Sequence, residues 1–516
     1  MALLLGRGEK PTFKWRPQQW EQGDSTTLPA PYGGLNLRSD ITAMQPNEAR
    51  VLENWIADSG YLYMRQGTEA HATGLASSSV KTLVPFIGLT AEHMIGMGSG
   101  KIYNATSSGA ATELSTGYTS DWWQTALYNN RLQLVNGADT PKVYDGSTIS
   151  NAGWTGSGLT VTNLVNVGIA RNRLWFCEND SADIWYGSVG AITGTLTKFQ
   201  LSQIAAGGTC VAIGAWSRDA GDGADDVTVM VMSTGEIIIY QGDVGTDITL
   251  AGKYWSAPPI GRNCLFRVGG ELIIITRLGL LPVSAAIGGA GQLNLSTIDP
   301  WGKIAPGIAA DAQTHGDKTG WNGIMHDGFV YVSVPLSTTN AVSKQYVLNL
   351  RNGSWSTLTG YNGVSWCSFG GRIYFGASTA GRVLAVGGNS DLGVDITASA
   401  NGAFVMPSGP SRTNLVTGIR PKMQADGSVA GFIGVDTDYV LRPASGNQVN
   451  IVDDPSSTPW GSAWGSPWGR RGEAIAQWYS IQGSGRAISV RMRASGATQN
   501  LRWFATDLLF KPGGIR

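Results

Sequence analysis

The chain has 516 residues, with 37 Lys or Arg against 37 Asp or Glu, so its formal net charge is zero. That balance excludes a protein that coats nucleic acid by global charge, while leaving a local basic surface open. With 42% hydrophobic residues and 19 Trp the chain is no low-complexity tract, and its 71 Gly with only 14% charged residues point to many strands joined by tight turns.

Residues 1–30 carry Arg7, Lys10, Lys14 and Arg16 against Glu9, Glu21 and Asp24, and read as an extended arm, either loose or docked on a partner. The apolar run after Met1 is too short for a signal-peptide core, which predicts a chain kept in the cytosol. Residues 31–75 form a compact N-terminal module. Pro46 at a first helical position, followed by Ala49, Leu52, Glu53 and Ile56, predicts one short helix near 46–57, and Tyr61–Met64 a strand after it.

From 76 to 390 the chain is a series of short strands. Examples are Lys81–Ile87, Arg131–Val135, Arg173–Glu178, Glu236–Tyr240, Glu271–Thr276, Phe329–Val334 and Gly371–Phe375. Phrases such as VNGADTPKVYDG, MSTGEIIIY, VGGELIIIT and FGGRIYFGA each join a Gly-containing turn to a β-branched or aromatic run. The phrase recurs at roughly 40–50 residues, the length of a four-stranded propeller blade. A degenerate β-propeller of about six or seven blades is the expected body, with a large sandwich or stacked sheets as the competing arrangement. Residues 391–516 form a second β domain. Within it, Trp460, Trp464 and Trp468 are four apart, but Pro467 and the surrounding glycines oppose a helix and favour a Trp-rich loop.

Chemistry is sparse. The four histidines, His71, His93, His315 and His326, have no Ser, Cys or carboxylate at triad-like spacing. GMGSGKI at Gly96–Ile102 lacks the first Gly and the closing Ser or Thr of a phosphate loop, and a strand follows it. Cys177, Cys210, Cys264 and Cys367 are far apart in strand-like runs and read as buried thiols. The best ion candidate is Asp219, Asp222, Asp225 and Asp226 in SRDAGDGADD, which could offer hard oxygen ligands to a cation or serve as Asx turns in a solvent loop. The most apolar segment, Glu271–Ala286, is interrupted by Arg277 and Pro282, so no membrane span is expected. No enzyme activity and no cofactor are expected.

Several blocks occur in a fixed order. They are GGLN at Gly33–Asn36, MQPNEARVLENW, Met64-Arg65-Gln66-Gly67, YNNRLQLVNGADTPKVYDG at Tyr128–Gly146, the block Asn166–Leu201 with RNRLWFCEN and IWYGSVGAITG, Trp216–Gly242, Ala257–Ser284, and finally the Trp-rich loop with WYSIQGSGRAISVRM. Together they resemble the tail nozzle, or tail tubular protein B-like, family of short-tailed bacteriophages. The resemblance implies a structural virion protein that forms the distal tail tube through which the genome is ejected and helps retain packaged DNA. It implies a homohexamer beneath a head-to-tail adaptor ring, with tail fibres, spikes or a needle as further partners. It also implies transient non-specific contact with double-stranded DNA, assembly in the host cytoplasm, and a platform built from N- and C-terminal segments beside the propeller-like body. Glycan-binding, glycan-hydrolysing and peptide-scaffold propellers are the competing readings.

The segment Trp460–Arg516 holds eight basic residues against two acidic ones. Arg470, Arg471, Arg486, Arg491 and Arg493 are therefore candidates to face DNA or an acidic adaptor surface, against a plainer reading as solvated strand arginines and intersubunit pairs.

Overall fold

The computed structural model describes residues 23–76, 79–219, 224–288, 298–337, 342–425, 429–443, 449–451, 474–475, 477–496 and 501–515. Among them, seven antiparallel sheets follow one another around a closed ring. Blade 1 is Thr82–Ile87, Glu92–Gly98, Lys101–Asn104 and Thr112–Thr116; blade 2 is Gln124–Tyr128, Arg131–Val135, Lys142–Tyr144 and Ile149–Asn151. Blade 3 is Leu164–Ala170, Arg173–Glu178, Ile184–Tyr186 and Thr197–Phe199; blade 4 is Cys210–Asp219, Ala224–Met232, Glu236–Gln241 and Thr249–Trp255. Blade 5 has three strands, Leu265–Val268, Glu271–Thr276 and Gly279–Pro282, and blade 6 has Asn322–His326, Phe329–Pro335, Ser343–Asn349 and Ser354–Thr359. Blade 7 takes Gly363–Phe369, Arg372–Ala377 and Val383–Val386 from one part of the chain and Thr68–Thr73 from another. The first strand of each blade lies against the first strand of the next, and Gly363–Phe369 closes on Thr82–Ile87. The body is a seven-bladed β-propeller.

The continuous apolar runs follow from this arrangement. A blade has a neighbour on each face, so both faces of its inner strands are buried and alternation disappears. Glu236–Tyr240 is buried throughout. Each blade feeds two cores: Trp175, Cys177 and Ile184 of blade 3 pack with Ile213, Met230 and Ile238 of blade 4. Phe176 and Trp185 pack on the other side with Tyr128 and Val135 of blade 2. Full burial of one such side chain contributes about 1.5–3 kcal/mol. All four cysteines are buried in strands or beside them, and the Sγ atoms of Cys177 and Cys210 are 3.4 Å apart.

Outside the propeller, N- and C-terminal segments share sheets. Blade 6 continues into Glu48–Glu53, then Ile396–Gly402, Ile488–Gly496, Val429–Thr437 and Val449–Ile451. A second sheet runs Trp55–Asp58, Tyr61–Met64, Arg502–Ile515, Arg412–Gln424 and Ala474–Ile475, with Asp24–Pro29 added on Arg502–Ile515 and Tyr479–Gly485 on Arg412–Gln424. One core joins these sheets to blades 5 and 6 through Trp55, Trp301, Trp321, Trp355 and Trp503.

The expected helix near 46–57 is not there: Glu48–Glu53 and Trp55–Asp58 are strands broken at Asn54, whose φ is 58°. Asn tolerates the left-handed conformation, which lets two strands of different sheets meet at one residue. Tertiary burial overrides the helical spacing, because Leu52, Trp55 and Ala57 all enter the shared core and Glu48 accepts Asn36 Nδ2 at 2.8 Å. The longest helix among the described residues is instead Ala305–His315, with Ile308 and Ala312 buried at helical spacing. Asp24–Pro29 of the expected arm is a strand, and residues 1–22 lie outside the described residues, as do Trp460, Trp464 and Trp468. No helix among the described residues is long and apolar enough to cross a membrane.

The Met64-Arg65-Gln66-Gly67 block ends where the chain enters blade 7. A Cβ on Gly67 would sit 2.0 Å from the Ser390 carbonyl oxygen, whereas one on Gly60 would meet nothing. Gly67→Ala is expected to lower stability by about 2–3 kcal/mol through this backbone collision. Gly60→Ala carries only the strain of its φ of 85° and costs about 1 kcal/mol. Urea transitions of the two variants check the order; a Gly60 variant that loses more than the Gly67 variant contradicts it.

Candidate functional site at the junction of blades six and seven

The strand Tyr61–Met64 delivers Tyr63 and, just beyond it, Arg65 to the place where blades 6 and 7 meet the N-terminal segment. Arg65 is buried, with a side chain 2% exposed. Its Nη2 donates to Asp391 Oδ2 at 2.6 Å and to the Thr359 carbonyl at 2.7 Å. Nη1 donates to Asp391 Oδ1 at 3.0 Å and to the Gln66 carbonyl at 2.8 Å, and Nε donates to Asn54 Oδ1 at 2.9 Å. The guanidinium lies 4.2 Å from the Tyr361 ring centre. All five donors are used, so Arg65 is a structural clamp and offers nothing to a ligand.

Above this clamp is a cavity of about 520 Å³. Ile56, Phe329, Leu358, Ile373 and Val386 give it apolar walls, and Tyr63, Tyr331, His326, Asp327, Arg351 and Arg372 give it polar groups. Burial pushes the Tyr63 and Tyr331 hydroxyls well above the usual phenol range. Neither hydroxyl has a hydrogen-bond partner among the described residues. The Tyr331 ring stacks on Trp366, with centres 5.6 Å apart and planes 19° apart. His326 Nδ1 and Ser368 Oγ are 2.8 Å apart, and burial holds the imidazole below its usual range, so the ring is neutral at pH 7. Arg372 is paired with Glu69 at 2.8 Å. Arg351 is different: its side chain is 64% exposed and its one carboxylate, Asp327, is 79% exposed and 3.9 Å away. Such a pair is worth little and yields to a better anion. The cavity thus combines aromatic walls, hydroxyls and an imidazole nitrogen with a loosely paired cation, Arg351.

No sequence signal singled out this cavity. Arg65 stands in a recognised block, but Tyr63, Phe329, Tyr331, Arg351 and Arg372 were legible only as strands and turns.

The sequence-derived candidates lie elsewhere. Arg491 stands on Ile488–Gly496 with a side chain only 14% exposed, and its Nη1 donates to Asp436 Oδ1 at 2.8 Å. Asp436 is wholly buried and also accepts from Asn401 Nδ2 at 2.9 Å and the Arg442 amide at 3.3 Å. The Arg491 guanidinium packs over Phe432. Arg493 is exposed and, two residues along the strand, shares the Arg491 face. Arg486 is exposed in the turn before that strand, where its amide donates to Asp438 Oδ1 at 2.7 Å. Arg470 and Arg471 lie outside the described residues. Arg442, which the sequence did not flag, lines a groove with Phe432, Tyr479 and Arg491. Asp219, Asp225 and Asp226 occupy the long hairpin of blade 4, opposite Ala224, Arg218 and Ser217, and Asp222 lies outside the described residues. Among the described residues no three His, Cys, Asp or Glu side chains gather as metal ligands.

The innermost strands of neighbouring blades lie in close contact. A Cβ on Gly168 would lie 2.4 Å from the Ile213 carbonyl oxygen, and one on Gly323 would lie 2.4 Å from the Phe266 ring. A cavity of about 220 Å³ remains where Lys81, Gln124, Asn263, Asn322 and Ser365 converge.

No protein-family model and no curated protein matches the chain. Among solved structures, the WD40 β-propeller domain of Doa1 is similar at 11% identity and a TM-score of 0.35, over 64% of this chain and 97% of that one. YCF48 bound to a D1 peptide is similar at 8% identity and a TM-score of 0.35, over 64% of this chain and 96% of that one. An exo-β-1,3-galactanase of Phanerochaete chrysosporium is similar at 9% identity and a TM-score of 0.25, over 75% of this chain and 95% of that one. The chain is a β-propeller protein, an assignment that its own strand order carries.

Proposed function

We propose that the chain is a non-catalytic subunit of a viral tail conduit, a six-fold tail nozzle that docks on a head-to-tail adaptor ring and through which the genome is ejected. The reading rests on the ordered blocks that resemble tail nozzle proteins. The observation that carries it furthest is where the N-terminal blocks fall. GGLN, MQPNEARVLENW and Met64-Arg65-Gln66-Gly67 build Gly34–Leu35, Glu48–Glu53, Trp55–Asp58 and the Arg65 clamp, the elements that fasten blade 6 to the C-terminal sheets. A sheet continuous from a blade into a second body suits a subunit that transmits load between neighbours. In this reading the genome path runs between protomers and not through the blades.

A second reading, a glycan-binding propeller, is favoured by the mixed aromatic and polar cavity at blades 6 and 7. Mass measurement and negative-stain imaging of the purified chain, alone and with its adaptor ring, separate the two. The conduit reading expects a monomer that forms six-fold rings on the adaptor. A chain that stays monomeric with the adaptor present and binds or cleaves glycans overturns it.

A further inference from the structure

We infer that the cavity at blades 6 and 7 binds a carboxylated sugar residue, of the uronic acid type found in acidic polysaccharides. The inference deepens the glycan-binding reading of that cavity and is independent of ring assembly. A volume of about 520 Å³ falls within the range of small-ligand sites, which are mostly apolar and hold a few placed polar groups.

Three observations narrow the ligand. First, a cationic ligand is disfavoured despite the aromatic walls, because three arginines, Arg65, Arg351 and Arg372, line the cavity against one acidic group, Asp327. Second, the unpartnered Tyr63 and Tyr331 hydroxyls call for a ligand with hydroxyls or carbonyls of its own, since a half-buried hydroxyl left unmatched costs free energy. His326 Nε2 adds a third polar atom, its Nδ1 being engaged by Ser368. Third, of the three guanidinium groups Arg351 is the most loosely paired, 3.9 Å from its aspartate against 2.8 Å for Arg372 and Glu69, and a planar guanidinium recognises a carboxylate in bidentate fashion. A hydroxyl-rich ring with one carboxylate satisfies all three. A fatty acid leaves the hydroxyls unmatched, and a neutral sugar leaves Arg351 on its distant aspartate.

The test is titration calorimetry of the intact chain with trigalacturonate and with the matching neutral galactotriose. Trigalacturonate should bind at least about tenfold more tightly than the neutral trimer, with affinity falling as salt rises. Arg351→Ala should remove that preference, and Tyr331→Phe, which keeps the stacked ring, should weaken both trimers by about fivefold. Equal affinity for the two trimers, or an Arg351→Ala variant that keeps the preference, overturns the carboxylate assignment while leaving a glycan site. Absence of binding for both trimers at millimolar concentration overturns the inference and the glycan reading together, and leaves the conduit reading standing.

Discussion

Arg65→Ala should destabilise the chain by about 3–5 kcal/mol, among the largest effects of any single replacement outside the Trp cores. The magnitude follows from what is left behind. Alanine removes all five hydrogen bonds at once and leaves Asp391, half-buried, without its cation. It also orphans the Thr359 and Gln66 carbonyls and strips the face of Tyr361, a contact worth about 0.5–2 kcal/mol. Burial pushes the Tyr361 hydroxyl up to about 12 even though Arg65 pulls the other way, so that ring has no charge of its own to compensate. The damage is local to the seam between Asn54, blade 7 and the 390s turn, so the urea transition should shift and protease should cut first near Asp391. Arg65→Met combined with Asp391→Leu should recover a good part of the loss, because a buried ion pair replaced as a unit is often neutral. A single variant that loses less than about 1 kcal/mol would show that the clamp is replaceable by solvent.

How far the sequence reveals this fold depends on the range of each interaction. The turns in MSTGEIIIY, VGGELIIIT and FGGRIYFGA were legible from their glycines, and Gly235, Gly269, Gly370 and Gly371 take the positive φ that tight hairpins require. The strands they join follow from short apolar runs between such turns. The blade-7 closure was not legible: Thr68–Thr73 pairs with Val383–Val386 across some three hundred residues, and nothing local in TEAHAT announces a partner. Residues 46–57 were misread for the same reason. Ala49, Leu52, Glu53 and Ile56 satisfy a helical period, but the burial that decides the matter comes from Trp355, Trp503 and Ala400, which lie far along the chain. The cavity of blades 6 and 7 is assembled from strands and turns of three separate segments, so its residue types carry no shared spacing. Arg65 illustrates both sides: its block was recognisable, while its partner Asp391 was not.

The C-terminal arginines give the second large effect, and they divide. Arg491→Gln should cost about 3 kcal/mol, because Asp436 is wholly buried and loses its only cation among the described residues. The loss sits at the low end because Asn401 Nδ2 and the Arg442 amide still donate to Asp436. Arg493→Gln, on an exposed side chain of the same strand, should stay within about 0.5 kcal/mol of the parent. Thermal unfolding of the two single variants checks the split. The consequence reaches the conduit proposal: a tail carrying both replacements would fail by misfolding, and its failure would say nothing about DNA. Arg493→Gln alone is the informative variant, since it removes a charge that solvent or a partner can reach and leaves the sheet intact. If Arg493 meets DNA or an acidic adaptor surface, rings still form and genome release slows, with a weaker dependence on salt. Normal release from such tails removes Arg493 from the contact surface. An Arg491→Gln chain as stable as the parent would show instead that Asp436 does not need its cation, and would return Arg491 to the residues available to a partner.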